Sequence, residues 1–342
     1  MKMVTVLSSS KVPADKNGFF FSVITPMYNR EATIGRCLDS CLSQGFDDYE
    51  VVIVDDGSED NSVRVVESYL PNRHITLIRS SENIGVSAAR GLGVLHSKGK
   101  WLMFMDSDDA FHSGAFQTIY ESVRTVSAEV GEVRFRYWRE DSKCLCPIPM
   151  MPEGVLDFAD YLRWVEVAEI PDALNCQRRE VYDVFTWPTD RQYESGFLMQ
   201  IYSKFKIIMS GEVVGTVYDD APNRITKENK NPLDPKFMIT ARDNANAQAK
   251  AIEQFGIQLK EYCPRRYQLI VRSIGNLYMM CGEKLKGARY LLKYLTMQPW
   301  SLVGWSILIL GLLGPRVLSW GKNMVQKAIG PSKFLRAVLL KS

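Results

Sequence analysis

The 342-residue chain has no C-x-x-C pair, and its seven cysteines (Cys37, Cys41, Cys144, Cys146, Cys176, Cys263 and Cys281) are scattered. An odd, unpaired set argues against a disulfide framework and a zinc site, and fits small apolar residues in a reducing compartment. Histidine is scarce: His74, His96 and His112 stand apart, and only His112 lies near an acidic run. No nucleophile-and-base constellation is legible, and the absence of G-x-x-x-x-G-K-[ST] excludes P-loop ATP chemistry. There is no internal repeat and no low-complexity tract. A net charge of +3 is too small to argue for nucleic acid. The opening residues, MKMVTVLSSSK, lack the apolar centre of a secretory signal, so a cytoplasmic location is expected. The apolar run SLVGWSILILGLLG, residues 301–314, is 14 residues long, short for a membrane span and suited to a buried or an interfacial helix.

What is present reads as an ordinary globular composition, 46% hydrophobic and 24% charged, in a length suited to about two domains. FFFSVITP, YEVVIVDD, HITLIRS and KWLMFMD read as strands. Between them, EATIGRCLDSCLSQ, SVRVVESYL and GVSAARGLGVLHS show helical spacing. Strand and helix in alternation predict right-handed βαβ units and a mostly parallel sheet covered on both faces. Ligands bind such sheets at the carboxyl ends of the strands. There the polar groups collect: Thr25, Tyr28 and Asn29, then Asp55 and Asp56, then Asn83, then Asp106 and Asp108. Three carboxylates in DSDD directly after WLMFM need either water at a turn or a cation among them.

TPMYN, DDGS, NIGVSAARG and DSDD, in that order at consecutive strand ends, resemble the family 2 glycosyltransferases, inverting enzymes of the GT-A fold, of the bacterial surface-polysaccharide type. The resemblance covers about residues 20–112 strongly and 180–225 weakly. It implies an α/β, Rossmann-like GT-A domain and a nucleotide-sugar donor, a UDP-sugar, bound by Pro26, Tyr28, Asn29, Asp56, Arg90 and Asp106. It also implies Mn²⁺ or Mg²⁺ held by Asp106 and Asp108, with Asp109 ordering the turn. The family usually has Asn where this chain has Gly91. In QYESGFLMQIY, Glu194 stands where the family places an Asp as catalytic base; Asp190 is a rival. The residues alone leave other readings open: Asp56 as a turn cap, Arg90 on a solvated helix face, and Glu194 as an acid opening a helix.

The expected division is an N-terminal extension (1–18), a nucleotide-sugar half (19–112), an acceptor half (113–230), a helical extension (231–298) and a tail (299–342). In the tail, six basic residues and no acid follow the apolar run. With Trp300, Trp305 and Trp320 beside it, this pattern predicts peripheral attachment to the inner face of the cell membrane. The implied acceptor is a glycan or a lipid-linked glycan in polysaccharide biosynthesis. The alternatives are transfer to a polyprenyl phosphate and a catalytically silent sugar-nucleotide-binding subunit.

Overall fold

The computed structural model describes residues 4–8, 18–187, 194–221 and 234–321. The chain forms two compact units, Met1–Arg191 with Phe197–Lys227, and Gln192–Gly196 with Glu228–Ser342. In the first unit the elements run β1 (Val4–Ser8), β2 (Phe21–Met27), α1 (Ile34–Leu42), β3 (Tyr49–Asp55), α2 (Ser62–Tyr69), β4 (Ile75–Ser80), α3 (Val86–His96), β5 (Trp101–Phe104) and β6 (Ala110–Phe111). They continue with α4 (Ala115–Val123), β7 (Val130–Arg139), β8 (Cys144–Cys146), β9 (Val155–Leu156), α5 (Phe158–Val167), β10 (Leu174–Arg178) and α6 (Val181–Val184). Then come α7 (Glu194–Tyr202), whose first residues fall to the second unit, and β11 (Lys206–Val217).

Every residue of β2 and β3 is buried, which is why both read as mostly apolar runs, and the polar Ser22 and Glu50 among them hydrogen-bond each other at 2.7 Å. Helix α1 buries Ile34, Cys37, Leu38 and Cys41, and both cysteines are packing residues. The strands form one sheet in the order β1-β4-β3-β2-β5-β10-β7-β11-β6, with β8 on β7 and β9 on β11. β4, β3, β2 and β5 are parallel, as expected. Beyond β5 the sheet is mixed: β10 runs antiparallel to β5 and β7, and β11 parallel to β7. Strand order reverses beside β2, since the chain leaves toward β3 and β4 and returns to β5 on the other side. That is the switch point at which open α/β sheets bind ligands. The N-terminal extension contains a strand that periodicity did not reveal. VTVLS pairs antiparallel with β4 at the sheet edge, and five residues are too few for a pattern.

Two close approaches fix the switch region. Gly57, in the DDGS turn, has φ +75°, and a Cβ there would lie 2.8 Å from the Glu82 carbonyl carbon. Gly93 seats α3 on β2, where a Cβ would lie 2.3 Å from Ile24 Cγ2. On the far side of β5, the Tyr202 hydroxyl at the end of α7 donates to the fully buried Glu132 at 2.7 Å. Burial pushes the Glu132 carboxyl up from its ordinary pKa, against the pull of Arg134 at 3.4 Å.

The second unit is helical: α8 (Pro235–Tyr262), α9 (Pro264–Met280), α10 (Lys284–Met297) and α11 (Leu302–Leu313). Gly275 and Gly287 bring α9 and α10 close, since a Cβ on Gly287 would lie 3.0 Å from the Gly275 carbonyl oxygen.

Replacing Gly93 by Ala tests the seat of α3. Alanine ordinarily favours a helix interior over glycine by about 1 kcal/mol. Here the overlap with a β-branched side chain in a central strand outweighs that gain. Gly93→Ala is expected to lower stability by about 1–3 kcal/mol, read as a lower urea midpoint at unchanged slope.

Candidate active site

At the carboxyl end of β2, Pro26 is still within the strand, Tyr28 is exposed, and Asn29 holds a positive φ of 52°. The Asn29 N–H donates to Ser58 Oγ at 3.0 Å, and its Oδ1 accepts from the Glu59 N–H at 2.9 Å. These bonds tie the β2 end to the DDGS turn after β3. Asp56 follows β3, and its carboxylate accepts the N–H groups of Ile84 at 2.6 Å and Gly85 at 2.9 Å. It therefore holds the loop that opens α3. Its neighbour Asp55 is buried, which raises its pKa, although Oδ1 accepts from the Ser58 N–H.

Helix α3 carries Arg90 to the fourth strand end. Its Nη2 meets Asp106 Oδ1 at 2.6 Å, the arginine being mostly buried and the aspartate half exposed. Asp106, Asp108 and Asp109 each bring a carboxylate oxygen within 4.8 Å of the others. Asp109 Oδ1 also accepts the N–H of Tyr218, just past β11, at 3.0 Å. A compact set of carboxylate oxygens suits a hard divalent cation, and the residues present fit Mg²⁺ or Mn²⁺. His112 takes no part in that cluster, since its Nε2 lies 2.9 Å from Thr216 Oγ1.

Arg36, on α1, escapes sequence reasoning. Its guanidinium bonds both oxygens of Asp220, at 2.7 and 2.9 Å, and donates to the Asp108 carbonyl. It also lies over the Tyr218 ring at 3.8 Å. The Asp220 hydrogen bond outweighs the cost of its partial burial and raises its pKa, so it stays charged. Arg36 thus clamps the DSDD turn to the end of β11. The partners are 184 residues apart, so no local motif announces them.

Gly91 follows Arg90 and lies under Trp187. The indole stacks on Phe104 at 4.9 Å and would meet a Cβ on Gly91 at 3.0 Å. The Gly91 departure therefore makes room for an aromatic ring beside the fourth strand end. Glu194 opens α7, and Asp190 lies outside the described residues.

Residues 22–145 match the family described as Glycosyl transferase family 2, and that range holds the ends of β2, β3, β4 and β5 but not that of β11. The chain carries a family 2 glycosyltransferase domain. Among curated proteins it is 31% identical over 135 residues to the uncharacterized glycosyltransferase EpsJ of Bacillus subtilis, covering 40% of this chain and 39% of that protein. It is 40% identical over 109 residues to the minor teichoic acid biosynthesis protein GgaA of the same organism, covering 30% and 24%. The matches therefore span less than half of these relatives. Among solved structures, S. aureus TarS 1-349 with UDP-GlcNAc aligns with a TM-score of 0.56 at 17% identity, over 80% of this chain and 83% of that one. The mannosyltransferase PcManGT from Pyrobaculum calidifontis, with GDP-Man and Mn²⁺, aligns with a TM-score of 0.52 at 20% identity, over 95% and 87%. The fold of the family 2 domain is GT-A.

If the aspartate cluster holds a cation, Mn²⁺ should raise the melting temperature of the protein. At about a hundred times its dissociation constant it would add about 2.7 kcal/mol. Asp108→Ala is expected to abolish the rise. Arg36→Ala should keep it but move it to higher Mn²⁺ concentration, because the turn loses its clamp. An undiminished rise in Asp108→Ala would place the cation elsewhere.

Proposed function

We propose that the chain is a metal-dependent, inverting glycosyltransferase. It moves a hexosyl or N-acetylhexosaminyl group from a nucleotide sugar, a UDP-sugar, to a hydroxyl of a glycan or lipid-linked glycan in polysaccharide assembly. The observation that carries this is the Arg90–Asp106 pair beside the Asp106–Asp108–Asp109 cluster, at the switch point of a family 2 GT-A sheet. The donors and Mn²⁺ held by the TarS and PcManGT structures support the reading, as does the teichoic acid role named for GgaA.

In this reading residues 19–112 hold the donor and 113–230 the acceptor. Pro26, Tyr28 and Asn29 wall the base. Asp56 accepts the uracil N–H beside its two backbone donors, within the about four acceptor directions of a carboxylate. Arg90 faces the diphosphate, where a fixed cation offsets the charge that grows as the leaving group departs. Asp106 and Asp108 would hold Mn²⁺ or Mg²⁺, which supplies further charge neutralisation at that diphosphate. Glu194 takes the acceptor proton as the acceptor oxygen bonds to the anomeric carbon and the bond to the β-phosphate oxygen breaks. The protein works on the cytoplasmic side, at the inner face of the cell membrane, where lipid-linked acceptors lie.

The test is sugar transfer by purified protein with Mn²⁺. Chelation by EDTA and Asp108→Ala should each reduce transfer by at least about a hundredfold. Glu194→Gln should bind donor normally while transfer falls. If Asp190→Asn is crippling and Glu194→Gln silent, Asp190 is the base. Donor binding with no turnover under any acceptor would leave a silent binding subunit and sink the enzyme reading.

A further inference from the structure

Helix α11 has the sequence LVGWSILILGLL and is apolar nearly all round. Its buried residues are Gly304, Leu308 and Gly311. A Cβ on Gly304 would lie 2.8 Å from the Tyr294 ring of α10, and one on Gly311 2.7 Å from Met279 of α9. Its exposed residues include Leu302, Trp305, Ile309, Leu312 and Leu313, spaced along one face. Leu302 is 82% exposed and Leu313 66%. The pattern departs from that of a helix bounded by water: two of the three buried residues are glycines, while large apolar residues face out. Helices in lipid pack this way, since small residues let backbones approach and large side chains meet acyl chains. Trp300, before the helix, is 92% exposed, and Trp320, after it, is exposed too. Aromatic rings favour the headgroup zone. Among the described residues no helix is long and apolar enough to cross a membrane.

Charge selects the occupant. From Lys284 onward the sequence has ten basic residues and no acid, so the whole-chain net of +3 conceals −7 ahead of that point. Lys284, Arg289 and Lys293 are exposed on α10, which packs against α11. A second copy docking here would bring like charge to like charge, whereas an anionic leaflet is complementary.

We propose that α11 is an interfacial helix. Its Leu302–Trp305–Ile309–Leu312–Leu313 face lies among the headgroups and upper acyl chains of an anionic leaflet, and the basic residues around it contact lipid phosphates. This rests on the membrane setting proposed above and names the surface that provides it.

The experiment is flotation of the full chain with vesicles of phosphatidylcholine alone or mixed with phosphatidylglycerol. A triple variant, Ile309→Gln, Leu312→Gln and Leu313→Gln, leaves charge and the buried face unchanged. The wild type should float with the mixed vesicles and much less with the neutral ones. Its tryptophan emission should shift to the blue and be quenched by brominated lipid. The triple variant should partition at least about a hundredfold more weakly, with unaltered circular dichroism and donor binding. If the variant floats as well as the wild type, membrane attachment stands but this face is not its surface. Absence of flotation in the wild type removes both. Equal flotation on neutral vesicles overturns the anionic selectivity. A lipid-free dimer that the variant disperses would assign the face to a second copy instead.

Discussion

Three carboxylates whose oxygens lie within 4.8 Å of one another are the constraint around which the first unit is organised. At an effective dielectric of about 20, each pair at that separation repels by about 3 kcal/mol. A marginally stable domain does not carry such a term without counterparts. Three elements supply them. Helix α3 brings Arg90 to Asp106. The chain leaving β11 gives Asp109 a backbone N–H. Helix α1 holds the Asp108 carbonyl through Arg36. These contacts restrain the turn from several sides while keeping its carboxylates gathered, which is the arrangement a hard cation requires.

Topology explains why those elements meet there. β2 to β5 run parallel, so each βα loop emerges at the same sheet end, and reversal of order beside β2 opens a crevice among them. The later strands return by antiparallel pairing: β10 on β5, and β11 on β6. That return carries Tyr218 and Asp220 back to a turn made about 110 residues earlier. Seats such as Gly93 on Ile24 then decide where Arg90 points, because α3 cannot shift without lifting off β2.

The parts of this arrangement that could be read from sequence are the local ones. DDGS and DSDD announce themselves because turn chemistry and charge crowding occur within a few residues, and the strand runs before them are mostly apolar. Arg36 could not be read, because it sits in an amphipathic helix where arginine usually marks a solvated face and its partner Asp220 is far along the chain. Gly91 showed as a departure from the family pattern, but its cause, the indole of Trp187, is a tertiary fact. VTVLS was too short to declare itself a strand. For the apolar run at 301–314, the sequence could not assign faces: Gly304, Leu308 and Gly311 of α11 are buried, while Leu302, Trp305, Ile309, Leu312 and Leu313 are exposed.

The segregation of charge bears on how an anionic donor would be bound. Residues ahead of Lys284 carry a net −7, so attraction by overall charge works against a nucleoside diphosphate. At physiological ionic strength, charges farther than about 8 Å are largely screened. Binding is then decided by the few groups close to the phosphates rather than by net charge. With Arg90 already engaged by Asp106, a cation on the aspartate cluster would supply further positive charge at short range. Local counter-charge at the sheet end, rather than the charge of the whole chain, is thus the provision that such a donor would meet.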